Sequence, residues 1–496
     1  MAINCVVWGL TGTDTAAIPR SMRQRSEFGT VVWFGIWDDC DRNIYETYRF
    51  QPDYDYSVGL PRAYMDIMFD AMGQFLISCA RRNECKIARK TWTLGFGTTY
   101  GYIHQFNRYC YLIHQLITKN KINLVVIDSV PHTSFDVLLC QATKYFKIQT
   151  IYLYQSGIPN KFLYFTEAQR SNIDFSVYYT DKRPVRAKVS YTVADPETPF
   201  FMGDFSHLNY SYDGFADDLA KEGADLETRT GVGGPGVFGR LFGHNRYSWK
   251  GFLELLRATS SNNLGRLEDL ASAFLKSVQA ERYHRSLELL SQNKVEGDTP
   301  FVYFPLSTQP EITTECLADQ YMDIVTAVEK IRCLIPDHWI ICVKEHVLQY
   351  ELGRDPIFFD RLTAIPNLVM VDRSASAYDL IKTCKFVATI NGTSGWEALH
   401  FGKSVVNFGS FYYNGLPGVS VYDDELTLED VLAVEPDPEI LGAAIEELVG
   451  RMEDGVVNAN YSEIVDDYDD DKNAKCVADV ICRVFYDESE NMEPTG

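Results

Sequence analysis

The sequence predicts an α/β protein of two Rossmann-like lobes with a helical, partly loop-rich middle region. Three observations carry that expectation. Short apolar runs end in turn residues and alternate with amphipathic segments, the pattern of βαβ units. The pattern occurs in two blocks, separated by a stretch rich in Gly, Asp and Glu. The chain has 496 residues, enough for several domains at roughly 100–200 residues each.

In the first block, Ile3–Trp8, Thr30–Trp37, Leu124–Asp128 and Thr150–Leu153 read as buried strands. Phe135–Tyr145 reads as a crossover helix, with Val137, Leu138 and the segment Cys140–Ala142 on its inner face. Asp213–Gly243, which contains GVGGPGVFGRLFG, reads as a linker, and Leu253–Leu290 as a helical insertion. From Pro300 the alternation resumes. Phe301–Phe304, Trp339–Lys344, Leu368–Val371, Phe386–Ile390 and Ser404–Phe408 are expected strands. Asp319–Ile335, Ala377–Lys382 and Trp396–Phe401 are expected helices, with a turn at Asn391–Gly395. The domains expected are therefore an amino-terminal lobe (1–200), a linker and helical insertion (201–298), a carboxy-terminal lobe (299–450), and a closing helix with an acidic tail (451–496).

Composition narrows the function. Lys+Arg number 46 and Asp+Glu 68, a net charge of −22. Such a chain is a poor general binder of phosphate backbones, so no nucleic-acid partner is expected. An anionic substrate must be met by a local pocket. The 12 cysteines show no CxxC and no zinc-type spacing, which fits buried thiols in a reducing cytoplasm. The start, MAINCVVWGLTGTD, lacks the pattern of a signal peptide, and no run approaches 18 apolar residues. A cytoplasmic protein is expected, its membrane contact at most peripheral.

The most specific segment is TINGTSGWEALHFGKSVVNFG, Thr389–Gly409. A strand, a tight turn with Gly392 and Gly395, and a helix follow one another. Thr393 and Ser394 stand at the helix start, where free N–H groups and the helix dipole favour an anion. Glu397 is expected in the first turn, within reach of a ribose hydroxyl. A simple capped helix start would look the same. The segment KEH, Lys344–His346, ends another strand at the same edge of the sheet, where ligands of open α/β sheets bind. FPLSTQPEITT ends a third strand, so Gln309, Glu311 and Thr313 are expected to project into the cleft. In the other lobe, VVIDSVPHTSFD places Asp128 and His132 at a strand end. His132 could act there as general base on an acceptor hydroxyl, or could pack beside a helix cap. YQSGIPN (Tyr154–Asn160) is a further loop for the same cleft, and GLTGTD (Gly9–Asp14) lacks the spacing of a phosphate loop. Asp38–Asp41 and Asp466–Asp471 are acidic runs of the solvated kind, so no metal is expected.

Together these segments resemble the bacterial capsule polysaccharide biosynthesis family. The resemblance is carried by YFPLxxQPExTT, by a strand ending in KEH, by TIxGTxGWEALxxGKxVxxFG, and by IDSVPHTSFDVLLCQATKYFKIQTIYL. It spans roughly 120–165 and 300–420 and leaves 200–295 unmatched. It implies a GT-B-like glycosyltransferase of capsule or surface-glycan assembly, related to Kdo transferases that use a CMP-activated sugar. The first lobe would then bind the acceptor and the second the nucleotide sugar. Lys344 and His346 match the family's Lys-x-His phosphate motif. Gly392, Thr393, Ser394 and Glu397 fall in its nucleotide-binding strand–turn–helix. Gln309 and Glu311 match its polar motif near the donor sugar, and His132 its Pro-His. Two positions depart from the family: Val347 replaces a Pro, and Ser307 a His. The expected partners are a nucleotide sugar, as substrate and not as cofactor, and a glycan or glycolipid acceptor, with peripheral contact to membrane assembly machinery. The catalytic residues expected are His132 and Glu311. Two other readings fit the same residues: a nucleotide-sugar epimerase, or a non-catalytic glycan-assembly protein that retains the fold.

Overall fold

A computed structural model describes residues 2–44, 59–85, 99–167, 173–180, 183–191, 193, 282–291, 295, 298–309, 311–346, 349, 354–434 and 436–491. The expected linker at 213–243 lies outside them, as does most of the expected helical insertion, of which 282–290 is helical.

The first sheet holds β1 (Ile3–Trp8), β2 (Phe28–Gly35), β3 (Arg42–Asn43), β4 (Leu124–Ile127), β5 (Gln149–Gln155), β6 (Lys161–Phe165) and β13 (Glu453–Asp454). The spatial order is β13-β6-β5-β4-β1-β2-β3. β1 to β5 pair in parallel, whereas β6 runs antiparallel to both β5 and β13. Helices cover both faces, which is why β1 and β4 are continuous apolar runs. Cys5 and Val7 point to one side, towards α1 (Ala17–Gln24) and the last helix, α13 (Asp470–Asn491). Val6 and Trp8 point to the other, towards α2 (Arg62–Asp70), α3 (Met72–Cys85), α4 (Thr99–Asn120) and α5 (Ser134–Phe146). Each fully buried Val, Leu or Ile here contributes roughly 1.5–3 kcal/mol over its exposed state.

The second sheet is all parallel: β7 (Phe301–Pro305), β8 (Ile340–Lys344), β9 (Leu368–Val371), β10 (Val387–Thr389), β11 (Val405–Asn407) and β12 (Val419–Val421). Its order is β12-β11-β10-β7-β8-β9. The chain winds outward through β8 and β9 and then returns to the other side of β7. The switch point therefore lies between β7 and β10, and the crevice opens beyond their carboxyl ends. Around the sheet stand α6 (Ile312–Glu315), α7 (Ile324–Leu334), α8 (Pro356–Ala364), α9 (Ala377–Thr383), α10 (Thr393–His400), α11 (Leu428–Ala433) and α12 (Pro438–Arg451).

The two Rossmann-like units are the GT-B-like architecture expected. Several details differ from the reading of the sequence. The helix expected over Asp319–Ile335 is a 3-10 turn, Asp319–Met322, followed by α7, because Asp323 is extended (φ −81°, ψ 90°). Tyr154–Asn160 ends β5 and forms the turn of a β5–β6 hairpin, closed by Ser156 Oγ donating to the Lys161 carbonyl at 2.5 Å. The acidic stretch Asp466–Asp471 leads into α13, which returns to the first sheet, where Gln149 Nε2 donates to the Val484 carbonyl at 3.2 Å. The segment 183–191 lies on α12 of the second unit: the N–H groups of Arg186 and Ala187 both donate to the Gly450 carbonyl. A Cβ at 450 would come within 2.6 Å of the Ala187 carbonyl oxygen, so this crossing needs glycine. The 11 cysteines whose side chains are described are free, and among the described residues no helix is long and apolar enough to cross a membrane.

Candidate functional site

Three loops meet at the carboxyl edge of the second sheet, after β7, β8 and β10. The loop after β10 is pinned from below. Asn391 takes a left-handed conformation (φ 54°). Its N–H donates to Asn407 Oδ1 at 2.8 Å, its Nδ2 donates to the Thr313 carbonyl at 2.8 Å, and Asn407 Nδ2 returns a bond to its Oδ1 at 2.9 Å. The sharp turn thus belongs to Asn391. Gly392 is extended, but a Cβ there would stand 2.6 Å from Thr389 Oγ1.

Helix α10 begins at Thr393, earlier than the Trp396 start expected, with Gly392 as N-cap and no side chain capping it. Thr393 is exposed and Ser394 half-buried. The helix therefore presents uncapped N–H groups and two hydroxyls at the crevice. The shift of start moves Glu397 into the second turn, where it is buried. Burial raises its carboxyl to about 7, against the opposing pull of Lys344 and a hydrogen bond from Tyr378. The expected reach of Glu397 to a ribose does not occur in this arrangement. Glu397 lies beneath the site as the counter-charge of Lys344.

Lys344 ends β8. Among the described residues its ammonium has no hydrogen-bond or ion-pair partner. Burial lowers its proton affinity, Glu397 opposes this, and Arg373 adds to it. His346 accepts or donates at Nδ1 with Thr308 Oγ1, 2.9 Å away. Burial pushes its pKa down to about 4, with Arg373, Lys344 and Arg354 adding to the effect. The ring is neutral at neutral pH. Arg373 also donates to the His346 carbonyl at 2.9 Å. It was not singled out from the sequence, although it stands two residues after β9, at the same strand-end position that drew attention to KEH.

Gln309 does not project into the cleft as expected. Its Nε2 donates to the Met322 carbonyl at 2.6 Å and its Oε1 accepts from Arg354, so both ends of the amide serve the lobe itself. Ser307 donates to the Ile390 carbonyl at 3.3 Å and ties the β7 loop to the β10 loop across the switch point. Val347 lies outside the described residues.

Glu311 is the N-cap residue of α6 and keeps exposed surface, yet protein crowds it enough to raise its carboxyl above the ordinary range. Exposure combined with crowding is what the wall of a cleft produces. Its charge bears on Tyr154 and Tyr461, both packed on the first unit. The C-terminal end of α6 meets that unit directly, with Cys316 Sγ 3.7 Å from the Pro131 carbonyl. The next residue is His132, which is 21 % exposed. Its Nδ1 lies 2.8 Å from the Val130 carbonyl and 3.8 Å from Asp136 Oδ2. A carbonyl oxygen only accepts, so Nδ1 carries the hydrogen and Nε2 is the basic nitrogen. Asp136 is itself fixed, since Thr133 and Asp136 form a capping box at the start of α5. Asp128 is occupied within its own lobe, accepting from the Leu10 N–H at 2.7 Å.

Asp39 pairs with Arg20 and Asp41 with Arg23. Among the described residues no group of three or more His, Cys, Asp or Glu could hold a metal ion.

Comparison with known proteins gives the following. Residues 261–453 match the family model described as capsule polysaccharide biosynthesis protein. The match starts upstream of the segment recognised by motif, and it does not include 120–165. No curated protein matches the chain. Among solved structures, a Thermosulfurimonas dismutans KpsC, a beta Kdo 2,7 transferase, aligns at 12 % identity with TM-score 0.30, covering 74 % of this chain and 89 % of that one. An S. aureus MnaA–UDP structure aligns at 12 % identity with TM-score 0.23, covering 98 % and 97 %. Over residues 261–453, less than half of its length, this chain is thus similar to the capsule polysaccharide biosynthesis family.

Proposed function

We propose that the chain is a metal-independent glycosyltransferase that moves a sugar from a nucleotide donor, CMP-activated by family resemblance, to a surface or capsular glycan acceptor. One observation carries this reading: Lys344, His346, Arg373 and the uncapped start of α10 converge on the carboxyl edge of the second sheet, flanking its switch point. A phosphate is the group that such a set of donors fits. In transfer, the acceptor oxygen attacks the anomeric carbon as its proton passes to a base, and the bond to the nucleotide phosphate breaks with its electron pair. Lys344, Arg373, His346 and the hydroxyls of Thr393 and Ser394 would hold the charge left on that phosphate. Nε2 of His132 would serve as the base. Glu311, on the facing wall, would orient the donor sugar or share that role.

The experiment is a thermal-shift screen of CMP, UDP, GDP and their sugars. A ligand of the folded state at a hundred times its Kd stabilises by about 2.7 kcal/mol. CMP or another nucleotide should raise the melting temperature, and His346→Ala should abolish the rise. An unchanged rise in that variant removes His346 from the site. Silence from every nucleotide removes the transferase reading and leaves the non-catalytic one. Product formed from the nucleotide sugar alone, with no acceptor, marks an epimerase.

A further inference from the structure

We propose that Arg354, whose side chain is fully buried and faces no cleft, is a positioning residue that aligns His346 by locking the loop after β7 to the loop after β8. This rests on the phosphate-site reading above. The guanidinium spends its donors on two loops at once. Nε donates to Glu345 Oε2 at 3.1 Å and Nη2 to Glu345 Oε1 at 3.3 Å, a forked pair with both side chains 0 % exposed. Nη2 also donates to the Ser307 carbonyl at 2.8 Å, and Nη1 donates to Gln309 Oε1. Its Cζ lies over the Phe358 ring, 4.4 Å from the centroid.

Each anchor continues towards His346. Glu345 Oε1 accepts from the His346 N–H at 2.8 Å, which fixes the backbone of the ring-bearing residue. Ser307 and Gln309 flank Thr308, whose Oγ1 meets His346 Nδ1 at 2.9 Å, which fixes the ring itself. Gln349 clamps the same loop a second time, exchanging two bonds with the Gln309 backbone at 2.8 and 2.9 Å. Stability alone does not account for the ion pair. A buried pair of charges is often no better than apolar residues of the same volume, because both charges must leave water. What this pair supplies and an apolar pair could not is direction. It ties a carboxylate, a carbonyl and an amide, on two loops, to one rigid planar group. Lys keeps the charge of Arg but cannot make the fork.

The test uses the full chain with isotope-labelled histidine. Arg354→Lys and Thr308→Val are compared with the parent protein in two measurements. The first is the ligand-free titration of the His346 ring nitrogens by NMR, assigned with His346→Asn. In both variants the His346 pKa should rise from about 4 towards the ordinary value near 6.5, and the Nδ1 shift should move. The second is CMP binding by calorimetry, where Arg354→Lys should lose about tenfold to a hundredfold, the order that misplacement of a contact group costs. A ring titration unchanged in either variant overturns the proposal. If Arg354→Lys does not fold, Thr308→Val still decides whether the loop holds the ring. If the parent protein binds no nucleotide, the phosphate reading fails by itself, while the ligand-free titration still decides the alignment by Arg354.

Discussion

Replacing Glu397 by Gln should make the protein's stability less sensitive to rising pH. The carboxyl is buried under Lys344 and is raised from 4.5 to about 7, chiefly by burial. The folded protein therefore binds this proton more tightly than the unfolded chain does. Between pH 4.5 and 7 the folded state holds more protons, so stability falls as pH rises through that window. The shift of about 2.5 units, at about 1.36 kcal/mol each, corresponds to roughly 3 kcal/mol. His346 and His400, both pushed down to about 4 by burial, act in the opposite direction, since each must be neutral to stay buried. The total pH profile therefore mixes signs, and only the difference between parent and variant isolates Glu397. Thermal midpoints measured from pH 4 to pH 8 should show Glu397→Gln gaining on the parent by about 3 kcal/mol across the window. At about 2–4 °C per kcal/mol for a unit of this size, that is a relative gain of roughly 6–12 °C. A difference that stays constant with pH would show that Glu397 is not buried against Lys344, and the assignment of a counter-charge beneath the site would fail.

Three further outcomes follow from the same geometry. Nucleotide binding near pH 6 should take up protons, because a phosphate beside His346 and above Glu397 raises the pKa of both groups; calorimetry in buffers of different ionisation heat measures this, and zero uptake would separate the phosphate from these groups. Glu311→Gln and His132→Ala should each cut turnover about a hundredfold or more, the usual order for a lost acid–base group, while nucleotide binding stays within a few-fold; full activity in both variants refutes their roles. Arg373→Ala should weaken nucleotide binding about tenfold and reduce its dependence on salt, and affinity equal to the parent's would leave Arg373 only its bond to the His346 carbonyl.

The sheet framework was legible because its strands are short apolar runs closed by turn residues. Ile3–Trp8 and Leu368–Val371 emerge with the expected bounds for that reason. What stayed hidden depends on partners far away in the sequence. β13 pairs with Phe162 and Lys161, nearly 300 positions earlier, and no local pattern marks so short a strand. The start of α10 was misplaced because Gly, Thr and Ser in a row read equally as a turn and as the first turn of a helix, and that error carried Glu397 from the surface to the interior. Gln309 was legible as a polar residue at a strand end, but not as one whose amide would be used up by Arg354 and the Met322 carbonyl. Arg354 itself sits in a polar stretch with no spacing signal. Arg373 had one, its place just beyond β9.

The same arrangement bears on how so acidic a chain would hold the phosphate proposed for it. Its surroundings limit the positive charge: His346 is neutral, burial lowers the proton affinity of Lys344, and Glu397 stands beneath as an acid with a pKa near neutrality. Fully charged groups crowded there would repel one another and pay a desolvation cost with no ligand to offset it. A phosphate would oppose the downward shifts of His346 and Lys344 and add to the upward shift of Glu397, favouring protonation of His346, the charge on Lys344 and the neutral form of Glu397. The positive field is thus assembled together with the ligand, and the affinity of the site should rise as pH falls from 8 towards 6, although the distant carboxylates of the chain are still ionised throughout that range.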